Sequence, residues 1–210
     1  MNSIISELEK NGLSIDILKQ LSYETHMDKN LKNTLHKFKE NQIFQEISEI
    51  IEFYQDSHLL EEVVIDYRIK SIDSCIRKYK KFFPNMEVEK TFNDLLGFRM
   101  LVDDYHHLLQ DKIPDRMRLV NMIDGKSKND GYRGIHLYYQ FSHRFYPIEI
   151  QINSYYDRQL NNWLHKYIYK KKYPNEIGNM MRDAYEKGKI KDEFEFQEVL
   201  NNVLFDCKKV

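Results

Sequence analysis

The sequence predicts an α+β fold: a β-sheet of about five strands flanked by N- and C-terminal helices. Three observations carry the α+β class. Residues 1–57 show helical spacing, with Leu31, Leu35, Phe38, Ile43, Ile47, Ile50, Ile51 and Tyr54 recurring at threes and fours. From Glu62 to Ile152 the pattern changes to short runs of β-formers separated by turn residues. After Asn153 helical spacing returns. Helices, then strands with one helix among them, then helices again is an α+β order.

The elements follow in turn. Val63–Ile69 is rich in β-formers and leads into a helix-like Ser71–Tyr79. Leu95–Val102, Arg116–Ile123, Ile135–Phe141 and Phe145–Ile152 then read as strands with short turns between them. Tyr155–Lys172 is helical, Pro174 breaks it, and two short helices complete the chain. On the last of these, Phe194, Phe196, Val199, Leu200, Val203, Leu204 and Phe205 form an apolar series that either docks on the core or pairs with another chain. The expectation is one domain over 1–210, with N-terminal helices in 1–57, the core in 58–175 and C-terminal helices in 176–210.

Composition narrows the function. A net charge of −1 gives no global attraction to a polyanion, so any nucleotide or RNA binding must come from local clusters of Lys and Arg. The two cysteines, Cys75 and Cys207, are far apart and have no partner at metal-ligand spacing, which fits reduced thiols. The N-terminus lacks the cationic start and apolar run of a signal peptide, and no stretch approaches a membrane span. A cytoplasmic protein with no membrane partner is expected.

The most informative stretch is Tyr146-Pro147-Ile148-Glu149-Ile150-Gln151-Ile152. As a strand it sends the isoleucines to one face and Glu149 and Gln151 to the other, so a carboxylate stands where a buried strand would carry an aliphatic. A sheet with one solvated face would explain an isolated acid; its neighbours argue for more. Arg68, Lys70, Ser74, Arg77 and Lys78 cluster at a strand-to-helix junction, which suits a polyphosphate as well as a basic surface helix. Asp94 opens the strand that contains Arg99 and supplies a second carboxylate; two acids on adjacent strands can hold Mg²⁺ and leave positions for substrate phosphates. The turn Lys126–His136 carries two glycines, Lys128, Tyr132 and Arg133, a tyrosine for base stacking among cations for phosphates. His165 and Tyr169 lie four apart on the Tyr155–Lys172 helix beside Lys170.

In order, these blocks run cationic helix, Asp-x-x-Gly-x-Arg strand, Lys-x-x-Gly-Tyr-Arg-x-x-His turn, Glu-x-Gln-Ile strand and His-x-x-x-Tyr-Lys helix. That order, over Ile65–Tyr173, closely resembles the synthetase domain of the RelA/SpoT family of alarmone synthetases. The resemblance implies a nucleotidyltransferase-like sheet and an ATP-dependent pyrophosphokinase of the stand-alone small type. Such an enzyme moves the β,γ-pyrophosphate of ATP to the ribose 3′-hydroxyl of GDP or GTP, with Mg²⁺ as cofactor. It implies catalytic and metal-binding roles for Asp94 and Glu149. ATP would be held by Arg68, Lys70, Ser74, Arg77, Lys78 and Arg99. The acceptor would be held by Lys128, Tyr132, His136, Gln151, His165 and Lys170.

The sequence departs from the family pattern at Tyr67, Asp130, Gly134 and Asn153, where glycine, asparagine, serine and arginine are usual. Three of the four lie on the acceptor side, so ATP as donor is the firmer expectation. A toxin branch of the family pyrophosphorylates the 3′-CCA end of tRNA; that acceptor is the alternative here, with Lys29, Lys32, Lys37 and Lys166–Lys172 as candidate contacts and an antitoxin protein as partner. A catalytically inactive nucleotide- or RNA-binding relative is the further alternative, disfavoured by the survival of both acids. A homo-oligomer is a further partner expectation.

Overall fold

The structure is a computed structural model that describes residues 2–125, 129–171 and 173–207. The N-terminal region folds as α1 (Ser3–Lys10), α2 (Ile15–Gln20) and α3 (Glu40–Gln55). Strand β1 (Asp66–Ile69) follows, then α4 (Ile72–Phe82) and the short α5 (Val88–Thr91). Next come β2 (Leu96–Val102), α6 (His106–Leu109), β3 (Met117–Asn121), β4 (Ile135–Tyr139) and β5 (Ile148–Ser154). The chain closes with α7 (Tyr155–Tyr167), α8 (Asn175–Glu186) and α9 (Glu193–Cys207). The five strands form a mixed sheet in the order β1-β2-β5-β4-β3, so the fold is α+β as expected. β1 and β2 pair antiparallel, with Asp66 opposite Arg99 and Arg68 opposite Gly97.

Two expectations about helices are corrected. Leu31, Leu35 and Phe38 are buried, but they lie on a largely irregular segment with only a 3₁₀ turn at Leu35–Lys37. Backbone N–H groups there reach distant carbonyls: Thr25 donates to Arg144 (2.8 Å), Leu31 to His143 (2.8 Å) and Leu35 to Met86 (2.9 Å). Those donors are therefore not available to a helix, and apolar spacing alone does not reveal this competition. The Tyr155–Lys172 helix ends at Tyr167; Tyr169–Lys171 is a separate 3₁₀ turn, and Lys172 lies outside the described residues. β5 starts at Ile148, after Pro147, which has no N–H to give a ladder.

The chain forms two compact units. The first takes the described residues up to Met100 with His106–Leu119 and His136–Gln151; the second takes Leu101–Tyr105, the described part of Val120–Ile135, and the described residues from Ile152 onward. In the first, Ile43, Ile47 and Ile50 of α3, Cys75 of α4, Phe98 of β2 and Ile148 and Ile150 of β5 are fully buried. Glu46 is buried there too, and its carboxylate accepts from Thr25 Oγ1 (2.6 Å), the His26 N–H (2.7 Å) and the Tyr146 hydroxyl (2.8 Å), as a buried charge requires. The second unit buries Leu160, Trp163, Leu164, Ile177, Met181, Tyr185, Phe196 and Leu200 around a single core. Phe196 and Leu200 show that α9 docks within this unit, while Phe194 and Phe205 from the same apolar series stay exposed.

Candidate active site

The cationic cluster forms where β1 hands over to α4. Asp94, just before β2, gathers its lysines: Oδ2 accepts from Lys70 Nζ at 2.6 Å and Oδ1 from Lys78 Nζ at 2.9 Å, with Arg68 Nη2 at 3.8 Å. Lys78 also donates to Asn93 Oδ1 at 2.9 Å. Ser74 and Arg77 pair with each other on α4, Arg77 Nη2 donating to Ser74 Oγ at 2.9 Å. Arg68 and Arg77 present exposed guanidinium groups, whereas Arg99 is half-buried on β2. Burial pushes the Asp94 carboxyl up, but the charges and hydrogen bonds of Lys78 and Lys70 more than offset it and hold its pKa below the ordinary value.

Glu149 sits in the middle of the sheet on β5 and is only 6% exposed, so its face of the strand is covered rather than solvated. Oε1 lies 3.0 Å from His136 Nδ1 and accepts from the Tyr138 hydroxyl at 3.0 Å; Oε2 accepts from Gln151 Nε2 at 2.8 Å. His136 and Tyr138 reach the same acid because residues two apart on β4 share a face. Burial raises the Glu149 pKa and the charge of Asp94 adds to that; the hydrogen bond and charge of His136, with the Gln151 amide, bring the net below the ordinary value. Gly97 on β2 faces this carboxylate: a Cβ there would stand 3.6 Å from Glu149 Oε2, an ordinary van der Waals contact.

Tyr138 was not among the sequence candidates, although its place two residues after His136 was the signal for it. Burial and the negative charge of Glu149 push its phenol well above the usual range, so it remains a proton donor to that acid. Arg118 was missed as well: its guanidinium stacks over the Tyr138 ring at 4.3 Å, and that of Arg116 stacks over Phe141 at 4.0 Å. Beside them lies a cavity of about 310 Å³ lined by Lys90, Arg116, Arg118, Tyr138, Gln140 and Glu89 among others. Arg116 holds φ +63°, a left-handed conformation unusual for a side-chain-bearing residue.

The remaining candidates belong to the second unit or fall outside the description. Lys128 lies outside the described residues. Tyr132 is half-buried on a tight turn; its own N–H donates to Asp130 Oδ1 (3.2 Å), and its hydroxyl accepts from Asn153 Nδ2 at 3.4 Å. Asn153 is buried and also donates to the Arg133 carbonyl at 3.0 Å, so it serves the turn as a brace. His165 near the end of α7 and Lys170 on the 3₁₀ turn are both exposed. Between them in the motif, Tyr169 donates its hydroxyl to the Asp130 carbonyl at 2.9 Å.

Among the described residues no group of three or more His, Cys, Asp or Glu is arranged to hold a metal ion. Asp94 and Glu149 are two carboxylates whose pKa values are held below the ordinary range, oxygen donors of the kind a hard divalent cation takes alongside phosphates and water. Among the described residues no helix is long and apolar enough to cross a membrane.

Comparison with known proteins bears on this arrangement. No curated protein matches the chain. Solved structures that resemble it include the small alarmone synthetase 1 from Bacillus subtilis bound to its product pppGpp, at 23% identity and TM-score 0.41, covering 77% of this chain and 89% of that one. The small alarmone synthetase 2 from Bacillus subtilis aligns at 20% identity and TM-score 0.40, covering 83% and 95%. A GTP pyrophosphokinase family protein from Streptococcus pneumoniae aligns at 19% and 0.38, covering 80% and 89%. Likenesses this distant carry no argument about chemistry. The profile of the region found in RelA / SpoT proteins, however, matches residues 67–174, more than half of the chain and every block of the site described above. The chain therefore belongs to the RelA/SpoT family, whose synthetase members are pyrophosphotransferases.

Proposed function

We propose that this protein transfers the β,γ-pyrophosphate of ATP to the ribose 3′-hydroxyl of GDP or GTP. The observation that carries the proposal is the buried Glu149 carboxylate, held below its ordinary pKa, with the Tyr138 hydroxyl, the Gln151 amide and His136 Nδ1 within hydrogen-bond distance, together with the cations gathered on Asp94. A base in that state takes the proton of the 3′-hydroxyl. The 3′ oxygen then bonds to the β-phosphorus while the bond from that phosphorus to the α–β bridging oxygen breaks, and AMP leaves with the electron pair. Arg68, Lys70, Ser74, Arg77 and Lys78 are assigned to the ATP phosphates, and Arg99 to the adenine side; phosphoryl transfer gains most from positioning and charge neutralisation of this kind.

Asp94 and Glu149 would hold Mg²⁺, which when bound neutralises phosphate charge and favours ionisation of a nearby hydroxyl. Lys70 and Lys78 would share the Asp94 carboxylate with it. His136 and Gln151 act first on Glu149, holding it ionised and oriented, and from there face the acceptor. Arg116, Arg118 and Lys90 around their cavity suit the acceptor's 5′-phosphates, and Tyr138 links that cavity to Glu149. Tyr132, His165, Lys170 and Lys128 are assigned to the acceptor on family pattern.

A second reading, the 3′ end of tRNA as acceptor, is favoured by one observation. Lys29, Lys37 and Lys39, with His26 and His36, line an open cleft of about 580 Å³ in the first unit. Such a cleft suits a phosphodiester backbone. One experiment tests both: the protein is incubated with ATP labelled on the γ-phosphate and Mg²⁺, with GDP, GTP, ATP and deacylated tRNA offered in parallel. Label in a guanosine tetra- or pentaphosphate is the expected result. Label only in tRNA overturns the first reading in favour of the second, and label in none of them removes both.

A further inference from the structure

The turn that carries Tyr132 is gripped carbonyl by carbonyl from the C-terminal half of its unit. Tyr169 donates to the Asp130 carbonyl at 2.9 Å. Arg182 Nε on α8 donates to the Gly131 carbonyl at 2.8 Å. Asn161 Nδ2 on α7 donates to the Arg133 carbonyl at 2.7 Å, and its Oδ1 accepts from the Arg133 N–H at 3.3 Å. Gly131 takes φ +86° and its backbone lies directly against that of Gly178 on α8, where neither position has room for a Cβ. Regular secondary structure accounts for none of these bonds, so each is a specific tie between a distant side chain and the turn.

Arg182 is the least expected member. It is 0% exposed, with Nη1 on Asp157 Oδ1 at 2.7 Å and Nη2 on Asn161 Oδ1 at 3.2 Å. Asp157 is completed by the Tyr105 hydroxyl at 2.8 Å and Ser154 Oγ at 2.9 Å. A buried ion pair of this kind contributes little stability beyond what apolar residues of the same volume would give. What apolar residues cannot supply is a rigid fork whose ends meet one carboxylate, one amide and one turn carbonyl.

We propose that Arg182, together with Tyr169 and Asn161, is a positioning residue that presets the Tyr132 ring for the acceptor base. Selection of the acceptor then depends on α8, a helix far from the acids in sequence. The inference rests on the proposed role of Tyr132 as the stacking platform.

The test uses the full chain and initial rates at varied GDP and varied ATP, with deacylated tRNA replacing GDP if tRNA is what takes the label. Tyr169→Phe removes one hydroxyl and should raise the acceptor KM roughly threefold to tenfold, the factor one hydrogen bond carries. The ATP KM and the rate at saturating acceptor should stay at wild-type values. Arg182→Lys should raise the acceptor KM further; if it does not fold, Tyr169→Phe alone carries the test. In a Tyr132→Ala background the Tyr169→Phe effect should vanish, because a device acting through a ring has nothing to position once the ring is gone. Two results overturn the inference: a wild-type acceptor KM in Tyr169→Phe while Tyr132→Ala raises it, or a Tyr169→Phe effect that persists in full without the Tyr132 ring. If Tyr132→Ala itself leaves the acceptor KM unchanged, the platform role fails first and this inference falls with it.

Discussion

Glu149→Gln separates chemistry from folding because the two effects on stability run in opposite directions. The substitution keeps size and shape but removes the charge to which Tyr138, His136 and Gln151 are bound. Hydrogen bonds to a charged group contribute roughly 1.5–3 kcal/mol against about 0.5–1.5 for neutral pairs, so three of them weaken by roughly 3–4 kcal/mol in all. Against this, the carboxylate no longer has to be held out of water, a cost of several kcal/mol per buried ion. The remainder is about 1–2 kcal/mol of either sign, a Tm displacement of at most about 8 °C for a chain of this size. Transfer should fall by about 10²–10⁴, the usual contribution of a positioned general base. The assay pairs label transfer from ATP with thermal unfolding and calorimetric ATP binding on the same preparation. A folded variant that turns over within tenfold of wild type would refute the role of Glu149; a variant that fails to fold would refute the offset argument.

Other outcomes follow from the same geometry. Tyr138→Phe loses only a hydroxyl bonded to Glu149 and should lower kcat about tenfold or more with the fold intact; an unchanged kcat would remove Tyr138 from the site. Asp94 and Glu149 both have folded pKa values below their ordinary 3.8 and 4.5. They therefore contribute stability that is fully present above those values and lost as pH falls through the lower, folded ones. Thermal unfolding should be level from neutral pH to about pH 5 and decline below about pH 4.5, less steeply in Asp94→Asn. Gly178→Ala, which on propensity alone would favour a helix, should destabilise by about 1–3 kcal/mol, because its Cβ meets the Asp130 carbonyl. A raised Tm in that variant would show that the two backbones can move apart.

The strands were legible because β-formers and turn residues alternate over short distances, and β1 to β5 stand close to where the pattern puts them. The first helices were half legible. Leu31 and Leu35 repeat like a helix yet spend their N–H groups on His143 and Met86, partners that no local window contains. The end of α7 was misjudged for a related reason: Tyr169 leaves the helix to reach the Asp130 carbonyl. At the site, Lys70, Lys78 and Asp94 were each named from sequence, but their convergence on one carboxylate was not visible there. Asn153 reads as a missing charge in the sequence and as a brace for the turn in the fold.

What the sequence determined by itself was the set of chemical groups and their order along the chain: two acids, a run of cations and a glycine-flanked tyrosine, carried on strands and turns whose local signals are strong. What only the tertiary structure decided was who meets whom. Hydrogen bonds and charge–charge contacts act over about 3–4 Å of space whatever their separation in sequence. Thus Tyr138 and Arg118 became neighbours of the Glu149 chemistry, and Arg182, 51 residues away along the chain, came to hold the carbonyl of Gly131.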